Sequence, residues 1–202
     1  MNNPRTRKSS DKMKGVLAEE KRPMSIAQAS PRDKHAGAQG AVIASLMRDL
    51  ASRDGVVRQR AREKLVGIGK PAVPALTERL WATGSQLRWE AGKALIEIAD
   101  GRAARALVAC LEDKDAGTRW VAAEALIALK RNALVPLLEA LIDQSDSVWI
   151  REGAHHVLHE LAEGELREIL CPVLAALEGP APDTVAPVFA AEALEELATG
   201  ES

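Results

Sequence analysis

The sequence predicts an all-α solenoid of about five stacked helix pairs, and three observations carry that expectation. First, an Arg, two spacer residues, an Ala and a Leu four positions further on recur as Arg58/Ala61/Leu65, Arg88/Ala91/Leu95, Arg119/Ala122/Leu126 and Arg151/Ala154/Leu158, at a period of 30, 31 and 32 residues. Second, PVFAAEAL (187–194) lines up with RWVAAEAL (119–126) as a fifth copy that has lost its Arg. Third, 47% of the 202 residues are hydrophobic but only 2% are aromatic, so Leu, Ala, Val and Ile must do the packing, which favours helix over sheet. A unit of this length with helical spacing inside it cannot bury its own apolar face, and stacked copies solve that problem.

Each unit divides into a first helix, a short turn and a second helix that carries the Arg-Ala-Leu pattern. The first helices are expected at 41–51, 71–82, 102–113, 133–143 and 166–178, and the second at about 55–68, 85–99, 116–130, 147–162 and 184–198. Pro71, Pro74, Pro136 and Pro172 fall in the opening turn or two of first helices, where a missing N–H is best tolerated. Asp54 and Asp115 stand four residues before Arg58 and Arg119, in position to cap the second helices, with Gly84 and Ser147 in the matching places. Offsets 0, +3, +7 and +10 from the Arg form one helical stripe: Ala61, Leu65, Ile68; Ala91, Leu95, Ile98; Ala122, Leu126, Leu129; Ala154, Leu158, Leu161. That stripe is the expected buried face.

The segments LEDKDAGTRWVAAEALIAL (111–129) and AVPAL (72–76) resemble HEAT-like repeats of the type named after phycobilisome lyases, over about residues 41–198. The resemblance implies a right-handed solenoid whose second helices line the concave surface. It also implies that Arg58, Arg88, Arg119 and Arg151, with Asp54 and Asp115, form a structural ladder of hydrogen bonds between turns. This repeat class supplies mostly binding scaffolds alongside a few enzymes.

Opposite the buried stripe, offsets +1, +5 and +8 should face outward. They hold Trp89, Trp120 and Glu152 at +1, Lys93, Glu124 and His156 at +5, with Glu63 and Glu192 in the outer copies, and Ile96 and Ile127 at +8. Large apolar groups repeated at exposed positions mark a partner-binding face. The expected site is therefore Trp89, Lys93, Ile96, Trp120, Glu124, Ile127, Glu152 and His156, with no catalytic residue and no cofactor.

The string REGAHHVLHEL (151–161) offers a weaker metal candidate, because His155 and His159 share a helix face and Glu152 lies one turn before. Deoxyhypusine hydroxylases are similar in fold and hold two irons on repeated His-Glu dipeptides, but His159-Glu160 is the only such dipeptide here. HEAT-like DNA glycosylases use Trp and Asp on a basic concave face. Bilin lyases share the repeat, and nothing in the sequence singles out a pigment site.

Charge weighs against the nucleic-acid alternative. Residues 1–40 hold nine Lys or Arg against four Asp or Glu, residues 41–131 hold sixteen against eleven, and residues 132–202 hold two against fourteen. The acidic end opposes a duplex lying along the groove and suits a partner with a basic segment. Residues 1–40 carry few large apolar groups and are expected to form a disordered basic tail, with 41–198 the repeat domain and 199–202 a short C-terminal tail. Cys110 and Cys171 are expected as reduced core thiols in a cytoplasmic setting. No run is long and apolar enough for a membrane span, and no apolar segment follows the N-terminal basic residues as a secretory signal would require.

Overall fold

The computed structural model describes the backbone of residues 31–200 and the side chains from residue 37 onward. Residues 1–30 of the expected tail, and residues 201 and 202, lie outside the described residues. Among the described residues there are ten α-helices and no strand: α1 Pro31–Leu50, α2 Gly55–Ile68, α3 Val73–Arg79, α4 Ser85–Ile98, α5 Ala104–Ala109, α6 Ala116–Leu129, α7 Arg131–Asp143, α8 Val148–Leu161, α9 Leu166–Glu178 and α10 Pro182–Thr199. Short 3-10 turns open α3 and α5 and close α5. Helix α1 starts ten residues before its expected start at 41, inside the range assigned to the tail. Ile43, Leu46, Met47 and Leu50 bury its C-terminal half, and once a helix is anchored each further turn is added without a new nucleation cost.

The helices form two rows. The first helices stack as α1 on α3, α3 on the turn that opens α5, and α5 on α7; the second helices stack as α2, α4, α6 and α8. Between the rows lies a leucine core that includes Leu65, Leu76, Leu95, Leu107, Leu126, Leu134, Leu137 and Leu158, all without solvent exposure. Ala61, Ala91, Ala122 and Ala154 of the repeated pattern are at most 2% exposed. Burying one such leucine contributes about 2 to 3 kcal/mol.

The capping expected from the sequence is present. Asp54 accepts from the Val56 and Val57 N–H groups, Asp115 from that of Thr118, and Ser147 from that of Ile150. The joint between repeats is equally regular over the first three copies: a residue of positive φ ends α2, α4 and α6, at Gly69 (φ 71°), Ala99 (φ 49°) and Lys130 (φ 54°). These turn the chain back within one or two residues.

The joint changes after α8. Ala162, at the next step of the period, has φ −75°, and a four-residue connector, 162–165, follows with Gly164 at φ 54°. Helix α9 packs against α8, and α10 packs against α7 as well as α9. The fifth pair is thus turned over: α10 was expected to continue the row of second helices beside α8, and it instead extends the row of first helices. The outward row expected to end at Glu192 accordingly stops at α8.

Both cysteines are free, but only Cys110 is in the core; Cys171 is exposed on α9, contrary to expectation. Burial, reinforced by the Asp113 carboxylate, pushes the Cys110 thiol up to about 12.

Candidate functional site

The repeated Arg closes the turn of its own repeat in every copy. Each donates through Nη1 to the carbonyl six residues back: Arg58 to Ser52 (2.9 Å), Arg88 to Ala82 (2.8 Å), Arg119 to Asp113 (2.8 Å) and Arg151 to Ser145. The period fixes this geometry, since the guanidinium always leaves the first turn of a second helix toward the preceding loop. Asp54 and Asp115, expected in the ladder with the Arg, instead accept through Oδ1 from helix N–H groups, and Asp115 also from the Thr118 hydroxyl. The carboxylates come from the following repeat: Glu90 meets Arg58 at 3.2 Å and also pairs with Arg62, while Asp113 meets Arg88 at 2.7 Å.

Arg119 departs from this pattern. What the following repeat brings to it is the ring of Trp149, with the guanidinium carbon 4.7 Å from the ring centroid. Among the described residues, neither Arg119 nor Arg151 has a carboxylate partner.

Beside Arg119, between α6 and α8, a cleft of about 340 Å³ opens. Trp120 is 59% exposed and Trp149 40%. His156 stacks on Trp120 with centroids 5.1 Å apart and 24° between planes, and its Nε2 lies 3.2 Å from Glu124. Leu111, Ala116, Ala123 and Gly153 supply small or apolar lining, and Glu152 stands at the cleft with Arg119. Gly153 lets α8 approach Leu111 closely at the cleft. A Cβ there would come within 2.9 Å of a Leu111 methyl, and the matching positions of earlier repeats carry Arg60, Glu90 and Val121.

The expected site residues are thus divided. Trp120, Glu152 and His156 line this cleft, with Glu124 behind His156. Trp89 is half-buried, next to Gly117 of α6, and Lys93 places its Nζ 4.5 Å from the Trp89 ring centroid. Ile96 and Ile127 are half-buried against the core and offer little free surface. His155 pairs with Glu178 at 2.9 Å, and its ring lies 6.2 Å from that of His159, which faces Glu160. Glu152 belongs to the cleft, away from this pair. Among the described residues no group of three or more His, Cys, Asp or Glu side chains could hold a metal ion.

Trp149, Leu111, Gly153 and the side chain of Arg119 were not expected here. Trp149 lies two positions before Arg151, where the other repeats have Val56, Gln86 and Gly117. A reading that looks for recurrence passes over a residue that occurs once. The usable signal was the coincidence, within one repeat, of a lone Trp at −2 and a lone Gly at +2.

Residues 84–159, from the N-cap of α4 into the last turn of α8, match the family of HEAT repeats. The match runs from α4 to α8 and takes in the whole of the cleft; it leaves out α1 to α3 and stops before the inverted pair. The architecture is that of a helical-repeat solenoid, and the part of it between α4 and α8 is similar to HEAT repeats. No curated protein sequence matches the chain significantly. Among solved structures it is similar to the crystal structure of an engineered protein from a structural genomics programme, at 21% identity over 75% of this chain and 77% of that one, with a TM-score of 0.43. No helix among the described residues is long and apolar enough to cross a membrane.

Proposed function

We propose that the chain is a non-enzymatic scaffold that binds another protein through its row of second helices, with the cleft between α6 and α8 as the anchor. The observation that carries this reading is the pair of exposed tryptophans, Trp120 and Trp149, walling one cleft with a charge of each sign beside them. Aromatic side chains that bury on binding supply most of the energy of such interfaces. The half-buried Trp89 with Lys93 extends the same face toward α4. Fourteen acidic residues against two basic ones after residue 131 favour a partner that also carries a basic segment, which would steer toward the last repeats. The role needs no cofactor, and the reducing cytoplasm remains the setting that suits two free thiols.

The test is affinity capture with the whole chain in three forms: wild type, a Trp120→Ala/Trp149→Ala double variant, and Trp81→Ala as a control. Trp81 is 61% exposed on the turn between α3 and α4, off the second-helix row. A protein retained by the wild type and by Trp81→Ala, and lost by the double variant, supports the proposal. Equal retention by all three forms overturns it.

A further inference from the structure

We infer that this cleft recognises a peptide segment bearing a single carboxylate beside an apolar side chain, the carboxylate pairing with Arg119 and the apolar group entering between Trp120 and Trp149. This rests on the binding-scaffold reading and deepens it. The argument begins with the ladder. Arg58 and Arg88 sit at the same offset as Arg119 and each receives a carboxylate from the next repeat. Arg119 receives an aromatic face, and among the described residues its only side-chain hydrogen bond runs from Nη1 to the Asp113 carbonyl. With Nη1 on that carbonyl, the Nε and Nη2 donors of Arg119 are free among the described residues. The carbonyl bond and the indole together restrain the guanidinium, so less side-chain entropy is lost when a carboxylate docks bidentately.

The surroundings set the rest of the ligand. About 340 Å³ lies at the small end of ligand pockets, roughly 300 to 1,000 Å³, and suits one or two side chains of an extended segment. Leu111, Ala116, Ala123 and the two indoles offer apolar contact. Glu152 also lines the cleft and has no ion-pair partner among the described residues, so it accepts from a backbone N–H or a basic residue next to the docked carboxylate. Glu124, held by His156, adds a second negative charge nearby. These two carboxylates repel a polyacidic run, which is why the segment carries one acid flanked by apolar or basic residues.

The experiment is selection of a random dodecapeptide phage library on the full chain, followed by affinity measurements on the enriched peptides. The expected peptides share one Asp or Glu next to a Leu, Ile, Met or aromatic residue. Replacing that acid by its amide should weaken binding to the wild-type chain at least tenfold, a comparison that needs no altered protein. Arg119→Gln should cause a similar loss, and Arg119→Lys, which keeps the charge but not the fork, a smaller one. Peptides with no acid, or peptides indifferent to both the amide change and Arg119→Gln, overturn the inference. If such peptides still lose affinity for the Trp120→Ala/Trp149→Ala variant, the scaffold reading survives alone. If the double variant enriches and binds the same peptides equally well, both fall.

Discussion

The second and third copies of the repeated Arg occupy the same offset, make the same hydrogen bond to the carbonyl six residues back, and differ in what the next repeat presents to them. Arg88 is 4% exposed and meets Asp113 at 2.7 Å; Arg119 is half-buried and meets an indole ring. A sequence period therefore specifies the turn, while the neighbour across the repeat boundary decides whether the charge is sealed into the scaffold or left at a surface. Arg88→Ala should accordingly destabilise the protein by about 3 to 5 kcal/mol, because it strands Asp113 and two backbone carbonyls in a partly buried site. Arg119→Ala, with one carbonyl bond lost and solvent at hand, should cost about 1 kcal/mol. Urea unfolding of the two variants checks the contrast, and equal losses would mean that the indole seals Arg119 as well as the carboxylate seals Arg88.

Two glycines on second helices, Gly92 and Gly153, extend the comparison. A Cβ on Gly92 would lie 2.7 Å from Val121 Cγ1 and 3.5 Å from its Cβ, so a stiff β-branched side chain and the spacing of α4 and α6 would both have to give. Gly92→Ala should cost about 1 to 3 kcal/mol. At Gly153 the obstacle is the branched end of Leu111, which can change rotamer. Gly153→Ala should therefore cost less in thermal stability while narrowing the cleft, a separation read by melting both variants and by comparing their peptide affinities.

The joints between repeats give a third contrast. Lys130 adopts φ 54°, ψ −132°, almost the conformation of Gly69 at φ 71°, ψ −135°, in a region that glycine tolerates and side chains do not. Lys130→Gly should raise stability by about 1 kcal/mol. Ala162 stands one period later at φ −75°, where glycine only adds freedom to the unfolded chain, so Ala162→Gly should lower stability by about 0.5 to 1 kcal/mol. Opposite signs in denaturant titrations would tie the inversion of the last pair to this joint.

Much of the fold was legible because it repeats. The α2 boundaries, the Asp54, Asp115 and Ser147 caps and the alanine-leucine stripe all follow from local spacing that several copies reinforce. What breaks the repeat was not legible. PVFAAEAL resembles a second helix in composition, yet the longer connector around Gly164 places α10 against α7, and composition does not encode which row a helix joins. The site divides in the same way. Trp120, Glu152 and His156 were reachable because outward offsets recur, whereas Trp149 and Gly153 matter through a contact across α6 and α8 that no period announces. Ile96 and Ile127 are less exposed than their offset suggested: offset +8 lies outside the helix's own buried stripe, yet both side chains are half-buried against the core.

The smallest expected effect on stability separates the two tryptophans that share offset +1. Trp120 is 59% exposed and touches His156, while Trp89 is half-buried beside Gly117 with Lys93 over its ring. Removing Trp120 takes away little buried area, so Trp120→Ala should change stability by less than about 0.5 kcal/mol. Trp89→Ala deletes half-buried apolar surface and a cation over the ring, and should cost about 1 to 2 kcal/mol. Single-tryptophan versions, made by replacing the other three with Phe, allow a reading that does not depend on unfolding. Acrylamide should quench Trp120 more readily than Trp89, and a docked peptide should protect Trp120 strongly and Trp89 hardly at all. Equal quenching of the free chain would show that offset alone sets exposure, and protection of Trp89 without Trp120 would move the anchor of the binding face from the α6–α8 cleft to α4.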